Sequence, residues 1–293
     1  MLGTRNRCCF ISILFRSPTF HVFATFLIPK VSGKSLNKFI TSMELRPSCS
    51  SSSLPSRNLF LLSPFFYFLL SCTFEGPAIF AIEPHDILPL SIFAYNDCLG
   101  GLNGHNCVGC VTSVCFYVPI MKHIYSWVNA RSADKKNMVS MIKSGLSPVL
   151  CPGGVQEVSL MKSENECVLY LNSRFGFIKL ALQQGVPVIP CFCFGLRKTF
   201  RYWIPKGSFF TRIGRFVGVL PMIFFGVWNI PFSPGKPVDY TNLVGTPIVL
   251  PKIENPSDED IRKYHALFIK EISSLYEDNK KDFDMGDVVL RIA

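Results

Sequence analysis

Short apolar runs alternate with segments of helical periodicity from residue 77 onward. Three of these runs have the length and composition of buried strands: residues 78–82, 149–151 and 186–194. Between the second and third runs, residues 175–182 fit a mostly buried helix, and Gly185 suits its C-terminal end. Since strands that alternate with helices form parallel sheets, residues 77–293 are predicted to fold as an α/β domain with a largely parallel mixed sheet flanked by helices.

The C-terminal part of the chain predicts one long amphipathic helix. Ser257 precedes Asp260 in the spacing of a capping box, which marks a helix start. Apolar residues then recur at helical spacing through Leu275. The helix is therefore expected to run for about five turns or more.

The N-terminal quarter differs in composition from the rest. Residues 1–58 are rich in Ser and Arg and contain one acid, Glu44, so they are predicted to be a disordered extension with the composition of an organelle transit peptide. Residues 59–76 form a short apolar segment, predicted to be a membrane anchor because a full span needs about 20 residues. A second uncharged apolar stretch, residues 216–232, fits either contact with one membrane leaflet or a buried core.

Composition narrows the class of protein. The 293 residues are 48% hydrophobic and 17% charged, with a mean hydropathy of +0.30, which excludes a disordered protein and favours a membrane surface as partner. Most of the net charge of +10 lies in residues 1–72, and the predicted domain is nearly balanced. A nucleic-acid partner is therefore not expected.

The cysteines favour buried thiols over a metal site or disulfides. Twelve cysteines are too few for a disulfide scaffold of this length. The one cluster with metal-like spacing consists of Cys98, His105, Cys107, Cys110 and Cys115. It lacks the repeated spacing of a structural zinc site, so strand cysteines in the core are predicted and no metal is expected.

The first candidate site residue is His85, which follows the first predicted strand between Glu83 and Asp86. Polar side chains that follow a parallel strand face the crevice where ligands bind. A neutral imidazole can act as a general base, and a neighbouring acid is expected to fix its tautomer and stabilise its cation. A histidine satisfied by a local hydrogen bond is the alternative.

The second candidate is the Pro-Gly-Gly-Val-Gln-Glu turn of residues 152–157, directly after another predicted strand. The amides of Gly153 and Gly154 suit a developing oxyanion or a phosphate, and Glu157 adds a polar wall. A plain turn explains the glycines equally well. Two polar turns at strand ends of one sheet are nevertheless expected to face the same crevice.

The third candidate is Arg174, which stands two residues before Gly176 at a predicted helix start. An arginine there is expected to pair with phosphates, or to be an ordinary solvated surface residue. Other basic residues are near it or in neighbouring segments: Lys135, Lys136, Arg197, Lys198 and Arg201.

Together these blocks resemble the diacylglycerol acyltransferase type 2 family, its plant members in particular, over about residues 77–293. The resemblance rests on five blocks in order: Glu-Pro-His with Leu88-Pro89 behind it, the 152–157 turn, residues 174–181, residues 185–195 and residues 202–206. It implies an acyltransferase-like, membrane-associated fold. It also implies transfer of a fatty acyl group from acyl-CoA to the free hydroxyl of diacylglycerol, giving triacylglycerol, with acyl-CoA as co-substrate and no further cofactor.

The same resemblance assigns roles to residues. His85 would deprotonate the hydroxyl, Glu157 would be the second functional acid, and Glu83 stands where plant members have Glu. Gly153 and Gly154 would stabilise the oxyanion, and Arg174 and Gly176 belong to a block expected to bind acyl-CoA.

Partners and location follow from the resemblance as well. Expected partners are acyl-CoA, diacylglycerol and membrane lipid, with a homo-oligomer also compatible. The endoplasmic reticulum membrane is the expected location, with a plastid as the alternative suggested by the acid-poor N-terminus. Monoacylglycerol, a long-chain alcohol or a sterol are alternative acceptors, and a catalytically inactive lipid-binding or scaffold protein is the alternative function.

One departure from the family pattern lies beside the histidine. The family usually has a small residue at the position of Asp86, whose charge could orient His85, raise its pKa or crowd the substrate. We expect His85, Glu157 and the two glycines to line one cavity, from which an apolar tunnel leads toward residues 59–72 or 216–232.

Overall fold

A computed structural model describes residues 9–12, 76–95, 106–117, 119–160, 165–203, 222–233, 235–236, 238 and 240–293. The strands are β1 Cys9–Ser12, β2 Ile79–Glu83, β3 Cys107–Val111, β4 Arg131–Ser132, β5 Ser147–Leu150, β6 Glu166–Leu169, β7 Val188–Phe194, β8 Arg201–Trp203, β9 Ile223–Phe225, β10 Thr241–Val244 and β11 Val289–Ile292. The helices are α1 Leu90–Phe93, α2 Pro119–Trp127, α3 Lys135–Lys143, α4 Val155–Leu160, α5 Gly176–Gln184 and α6 Asp258–Asn279. Single 3₁₀ turns lie at Ser113–Phe116, Leu196–Lys198, Val227–Asn229 and Lys280–Phe283.

Seven of these strands form one mixed sheet in the order β1-β10-β7-β2-β5-β3-β4. Strands β7, β2, β5, β3 and β4 pair in parallel, whereas β10 runs antiparallel to β7 and β1 antiparallel to β10. Two small sheets complete the described chain, with β11 parallel to β6 and β8 antiparallel to β9. The prediction of a largely parallel mixed α/β sheet is confirmed.

Both faces of the large sheet are covered, and alternate strand residues divide between them. Ile79 and Ala81 of β2 point into the larger core cluster with residues of α3, α5 and α6. Phe80 and Ile82 point into a second cluster that contains residues of α1. Because successive strand side chains point to opposite faces, an apolar run without alternation is required when both faces are buried.

The predicted helices are present with their predicted ends. Helix α5 is followed by Gly185 in a left-handed conformation with φ 67°, where glycine carries no steric penalty. Helix α6 begins with a complete capping box, in which the Ser257 hydroxyl accepts from the Asp260 amide and the Asp260 carboxylate accepts from the Ser257 amide. Its 22 residues give about six turns, which agrees with the predicted length.

The structure describes only part of the predicted N-terminal extension and of the cysteine cluster. Cys9–Ser12, inside the extension expected to be disordered, forms the edge strand β1; the rest of residues 1–58 and residues 59–75 lie outside the described residues. Cys107, Cys110 and Cys115 are buried free thiols, as predicted, while Cys98 and His105 lie outside the described residues.

The second apolar stretch is described from residue 222 onward, and part of it is exposed. Trp228, Ile230 and Phe232 have exposed fractions of 84%, 51% and 64%. A buried core therefore does not account for these three side chains. Among the helices of the described residues, none combines the length and apolar character needed to cross a bilayer.

Candidate active site

The carboxyl end of β2 delivers the candidate histidine into a tight turn. The Glu83–Pro84 peptide bond is cis, and Asp86 has a positive φ of 51°. The Ile87 amide donates to the Asp86 carboxylate at 2.8 Å, which holds that side chain against its own turn. His85 is thereby presented beyond the strand end, half-buried.

A backbone carbonyl sets the tautomer of His85, where an acid was expected. Nδ1 lies 2.7 Å from the Asp86 carbonyl oxygen, so the hydrogen bond requires Nδ1 to carry the proton and leaves Nε2 with a lone pair. Burial is the main cause that lowers the pKa of His85 to about 4; the hydrogen bond to the Asp86 carbonyl opposes this shift, and the charge of Arg174 contributes to it. Asp86 does act to raise the pKa of His85, but through its backbone carbonyl, and desolvation outweighs this effect; the Asp86 carboxylate turns to the Ile87 amide.

Glu157 holds the histidine turn through the backbone. It lies in the first turn of α4 and is 1% exposed. Its Oε2 accepts from the His85 amide at 2.7 Å, and its Oε1 accepts from the Tyr170 amide at 3.0 Å. Glu157 therefore fixes the position of His85 relative to α4 and the segment after β6, and it does so through the backbone amide of His85.

Glu83 makes the matching connection to the turn after β5. It is fully buried, its Oε1 accepts from the Gly153 amide at 2.8 Å, and its Oε2 accepts from the Cys151 thiol at 3.2 Å. The two polar turns predicted to face one crevice are thus joined directly. Glu83, which precedes the His85 turn, accepts from the Gly153 amide, and Glu157, which follows the two glycines, accepts from the His85 amide.

The two carboxyl groups form a buried acid pair. Burial raises the pKa of Glu83 to about 7, and burial together with the neighbouring Glu83 raises the pKa of Glu157 well above its ordinary value. Two adjacent carboxylates in a buried site cannot both be ionised at low cost, so the pair holds a proton in neutral solution.

The acid pair also has the composition of a cation site. Ligand atoms of Glu83, Cys151 and Glu157 all lie within 4.8 Å of one another. However, each carboxylate oxygen already accepts from a protein donor, and the thiol donates to Glu83 with its pKa raised well above the ordinary value. A metal would need that thiol deprotonated and those bonds rearranged, so a shared proton fits these residues better.

The paired glycines serve packing more than anion binding. A Cβ at Gly153 would lie 1.8 Å from Oε1 of Glu157, so only glycine fits beside the acid pair. Gly154 has a φ of 62° in the left-handed region. The Gly153 amide, expected to face an oxyanion, donates to Glu83 instead, because the acid pair lies under the turn.

Arg174 closes the site from the start of α5. Its Nη2 donates to the Gly153 carbonyl at 3.2 Å, and its guanidinium carbon lies 5.0 Å from the ring centroid of Tyr170. Its Nε is buried and has no hydrogen-bond partner among the described residues. The guanidinium therefore keeps donor capacity, and it is near enough to His85 for its charge to lower the pKa of the imidazole.

The remaining predicted residues separate from this cluster. Gly176 begins α5, and a Cβ there would meet nothing within 4 Å. Arg197 donates to the Glu166 carbonyl at the start of β6. Lys135 and Lys136 lie in the first turn of α3, beside the other end of the sheet.

Two members of the cluster were not identified from the sequence. Cys151 precedes the Pro-Gly-Gly turn directly, and its position after an apolar strand was a usable signal. Tyr170 contributes its backbone amide and its ring, and no local pattern marks either contribution.

The fold and site define an α/β protein with a neutral histidine at the carboxyl edge of a parallel sheet, held by a buried acid pair. The chain belongs to the diacylglycerol acyltransferase family: the family model described as "Diacylglycerol acyltransferase" matches residues 74–292. This confirms the resemblance drawn from the sequence blocks.

Relatives of the chain include acyltransferases named for two kinds of acceptor. Acyl-CoA wax alcohol acyltransferase 2 of Homo sapiens is 29% identical over 187 residues, covering 59% of this chain and 55% of that protein. Diacylglycerol O-acyltransferase 2 of Danio rerio is 34% identical over 173 residues, covering 55% and 46%. Diacylglycerol O-acyltransferase 1 of Schizosaccharomyces pombe is 30% identical over 234 residues, covering 71% and 65%.

The matches leave part of each relative uncovered. The chain spans about half to two thirds of the length of these relatives. No solved structure matches the chain significantly.

Proposed function

We propose that this protein transfers a fatty acyl group from acyl-CoA to the free hydroxyl of diacylglycerol and so forms triacylglycerol. Family membership and relatives named diacylglycerol O-acyltransferase support the reaction class. The observation that carries the proposal is the state of His85, whose tautomer leaves Nε2 as a proton acceptor at the ligand-binding edge of the sheet.

The reaction needs one proton acceptor and no covalent intermediate on the enzyme. Nε2 of His85 takes the hydroxyl proton as the acceptor oxygen attacks the thioester carbonyl, and a carbon–oxygen bond forms. The carbon–sulfur bond then breaks, and the CoA thiolate leaves with the proton returned by the imidazolium. General-base assistance of this kind contributes about 10²–10⁴ in rate.

The low pKa of His85 keeps the imidazole neutral before the reaction and makes the imidazolium a good proton donor afterwards. With a pKa of about 4 the imidazole is neutral throughout the physiological range, so it is always ready to accept a proton. The imidazolium formed in the transition state is short-lived, and it is a stronger acid than an exposed one would be. Return of the proton to the thiolate is correspondingly favourable.

Arg174 is the best-supported donor to the developing oxyanion. The Gly153 amide is occupied by Glu83, whereas the guanidinium has an unpartnered buried Nε among the described residues. A donor aimed at the tetrahedral oxygen is worth roughly 2.7–4 kcal/mol. Gly154 and Gly176 remain proposed parts of the acyl-CoA site on the family pattern alone.

The acceptor is proposed to be diacylglycerol, with a long-chain alcohol as the second candidate. The similarity to a wax alcohol acyltransferase supports that second candidate specifically. Monoacylglycerol and sterol are further acceptors for the same chemistry. Incorporation measured with each acceptor in turn, at equal acyl-CoA, ranks them.

We propose that the protein works at a membrane, that of the endoplasmic reticulum. Support comes from the exposed side chains of Trp228, Ile230 and Phe232, since exposed apolar residues close together favour contact with lipid or a partner. The composition of residues 1–58 favours a plastid instead. A fluorescent reporter fused to residues 1–60 distinguishes the two compartments.

The test of the function is incorporation of labelled oleoyl-CoA into triacylglycerol by microsomes that contain the full chain. Wild type is expected to make triacylglycerol, and His85→Ala to lose about 10²–10⁴ of the rate. His123→Ala is the matched control, because His123 is an exposed histidine on α2. It is expected to keep full activity.

Each outcome has a defined meaning. Full activity of His85→Ala would exclude the histidine mechanism and leave the reaction class intact. Wild type that is folded, membrane-bound and inactive with every acceptor would support the alternative of a lipid-binding or scaffold protein.

A further inference from the structure

A second polar feature lies at the same edge of the sheet, at the ends of β3 and β4. A cavity of about 410 Å³ opens there beside the start of α3. Its wall combines two aromatic residues, Phe116 and Tyr117, with the polar side chains of Arg131, Ser132 and Asp134. None of these residues belongs to the cluster around His85.

The sheet register relates this cavity to the candidate active site. Phe80 of β2 pairs with Val149 of β5, which pairs with Gly109 of β3. Two residues beyond that row, Val111 of β3 pairs with Ser132 of β4. All four strands are parallel, so the cavity and the His85 turn share the carboxyl edge. Three strand spacings separate β2 from β4, roughly 14 Å.

The lining of the cavity contains one cation, Arg131, and one acid, Asp134, and in the described residues Arg131 forms no ion pair. Arg131 is exposed, and the salt bridges of the described chain involve other residues. Lys135 and Lys136 stand in the first turn of α3, directly after Asp134 of the cavity lining, and the first amides of a helix have no partner within the helix. The N-cap residue Asp134 does not cap these amides with its side chain. Instead it accepts from the Ser132 hydroxyl at 2.6 Å.

One wall of the cavity offers an aromatic face. Tyr117 is 83% exposed, an unusual value for a large ring in a folded domain. An exposed ring next to cationic groups is the arrangement on which purine bases stack while phosphates pair with arginine.

We propose that this β3–β4 cavity binds the phosphorylated nucleotide end of CoA, while the thioester lies at His85. This inference rests on the proposed acyl-CoA-dependent function and says where the donor is held. Arg131 and the start of α3 would contact the phosphates, and Tyr117 would stack on the adenine.

The length of CoA agrees with this arrangement. Its pantetheine arm consists of three units, each about as long as an amino-acid residue, and an extended residue spans at most about 3.6 Å. The arm therefore reaches about 11 Å, and the pyrophosphate extends it further. Together the arm and the pyrophosphate cover the roughly 14 Å that separates β2 from β4.

Asp134 allows a test of whether the ligand of the cavity is an anion. Its carboxylate lines the cavity and would repel phosphate, although the Ser132 hydroxyl shields one oxygen. Removal of this charge is therefore expected to tighten binding of CoA, whereas removal of the Arg131 charge weakens it.

The first experiment measures binding of free CoA and of pantetheine to purified, detergent-solubilised full chain by calorimetry. Wild type is expected to bind CoA more tightly than pantetheine. Arg131→Gln is expected to weaken CoA binding about tenfold, since it removes one charge-assisted contact at an open site. Tyr117→Ser is expected to weaken it about fivefold, and Asp134→Asn to strengthen it severalfold.

The matched control is Lys143→Gln, which removes a positive charge from an exposed residue at the opposite end of α3. It is expected to leave CoA binding unchanged. Pantetheine binding is expected to be the same in wild type and in all four variants, and a variant that merely misfolded would lose both ligands.

A second experiment separates nucleotide from lipid phosphate as the source of the anion. Vesicles of phosphatidylglycerol and of phosphatidylcholine are compared for binding of wild type and Arg131→Gln. Loss of binding to the anionic vesicles with unchanged CoA affinity would overturn the proposal in favour of a lipid headgroup. Equal vesicle binding with weakened CoA binding supports it.

The outcomes also separate this inference from the proposed function. CoA binding that does not depend on Arg131, in a protein that transfers acyl groups, would overturn only the nucleotide site. CoA binding that depends on Arg131, in a protein that transfers no acyl group, would support the site and overturn the function. A wild type that binds no CoA would contradict both.

Discussion

The polar groups around His85 and those at the β3–β4 cavity lie at the same edge of the sheet but differ in burial and in hydrogen bonding. Around His85 the polar groups are buried and bonded to one another: Glu83 and Glu157 each accept from two protein donors. At the β3–β4 cavity the polar groups are exposed, and Arg131 has no ion pair within the described chain.

The difference corresponds to the work we propose for each end. Proton transfer requires a fixed geometry and a low local dielectric, and a closed hydrogen-bond network provides both. Recognition of a large, highly charged and flexible group tolerates an open surface, because solvated cations are available without a desolvation penalty. Substitutions at the two ends should therefore differ in kind, with large effects at the first end and small or ligand-specific effects at the second.

The largest effect is expected from Gly153→Ala. The added Cβ would lie 1.8 Å from Oε1 of Glu157, so the acid pair must move and the bond to the His85 amide is lost. We expect at least about 2 kcal/mol of lost stability by denaturant unfolding, together with near-complete loss of transfer. Gly286→Ala is the control, since its Cβ would meet only Lys281 Cγ at 3.7 Å. Equal stability of both variants would show that the acid pair is loosely held.

A smaller effect is expected from Glu157→Gln. The amide presents an NH₂ group to one of two backbone donors, so either the His85 or the Tyr170 amide loses its acceptor. We expect kcat to fall about tenfold or more, with little change in the KM for acyl-CoA, because an unpaired buried donor costs about 1–3 kcal/mol.

The matched control is Glu259→Gln, an exposed glutamate in the first turn of α6. A Glu157→Gln variant with raised KM and unchanged kcat would mean that Glu157 contacts substrate and does not position His85.

The third prediction concerns pH and stability. Burial raises the pKa of Glu83 from 4.5 to about 7, so between these values the folded state binds more protons than the unfolded state. Unfolding free energy contributed by this group therefore falls as pH rises through that window. The raised pKa of Asp86 acts in the same direction below about 6, and the lowered pKa of His85 acts in the opposite direction between about 4 and 6.5.

Glu83→Gln isolates the contribution of the acid pair. The variant is expected to lose part of the decline in stability between pH 4.5 and 7, measured as the denaturation midpoint at a series of pH values. Wild type and variant with parallel pH profiles would show that Glu83 is already ionised in the folded protein at low pH.

The smallest effect on stability is expected at the β3–β4 cavity, where the side chains are exposed. Tyr117→Ser removes a ring that is 83% exposed, so unfolding free energy should change by no more than about 0.5 kcal/mol. Thermal unfolding beside wild type measures it. A loss comparable to that of Gly153→Ala would contradict the distinction between a closed and an open end.

The sequence was sufficient for the frame of the domain. Apolar runs predicted β2, β5 and β7 to within about two residues, because strands buried on both faces must be continuously apolar. The capping box at Ser257 and the glycine at position 185 predicted two helix ends, since both act through local backbone geometry.

The candidate site could be predicted only in outline. That the turns of His85 and Glu157 meet follows from the parallel sheet and was expected. The hydrogen bonds between the two turns were not expected, because a carboxylate accepts equally well from many donors. Only the packed structure decides which donors are near. Thus the tautomer of His85 is set by a carbonyl and not by an acid, and the Gly153 amide donates its hydrogen bond to Glu83.

By itself the sequence determined the α/β class, the family and the identity of the residues at the sheet edge, because periodicity, caps and ordered motifs are local properties of the chain. Only the tertiary structure decided that Glu83 and Glu157 form a buried pair, that Gly153 must be glycine, and that a charged cavity shares the edge with His85. The physical reason is that pKa shifts, steric exclusion and strand register depend on groups far apart in the chain and adjacent only in the folded protein.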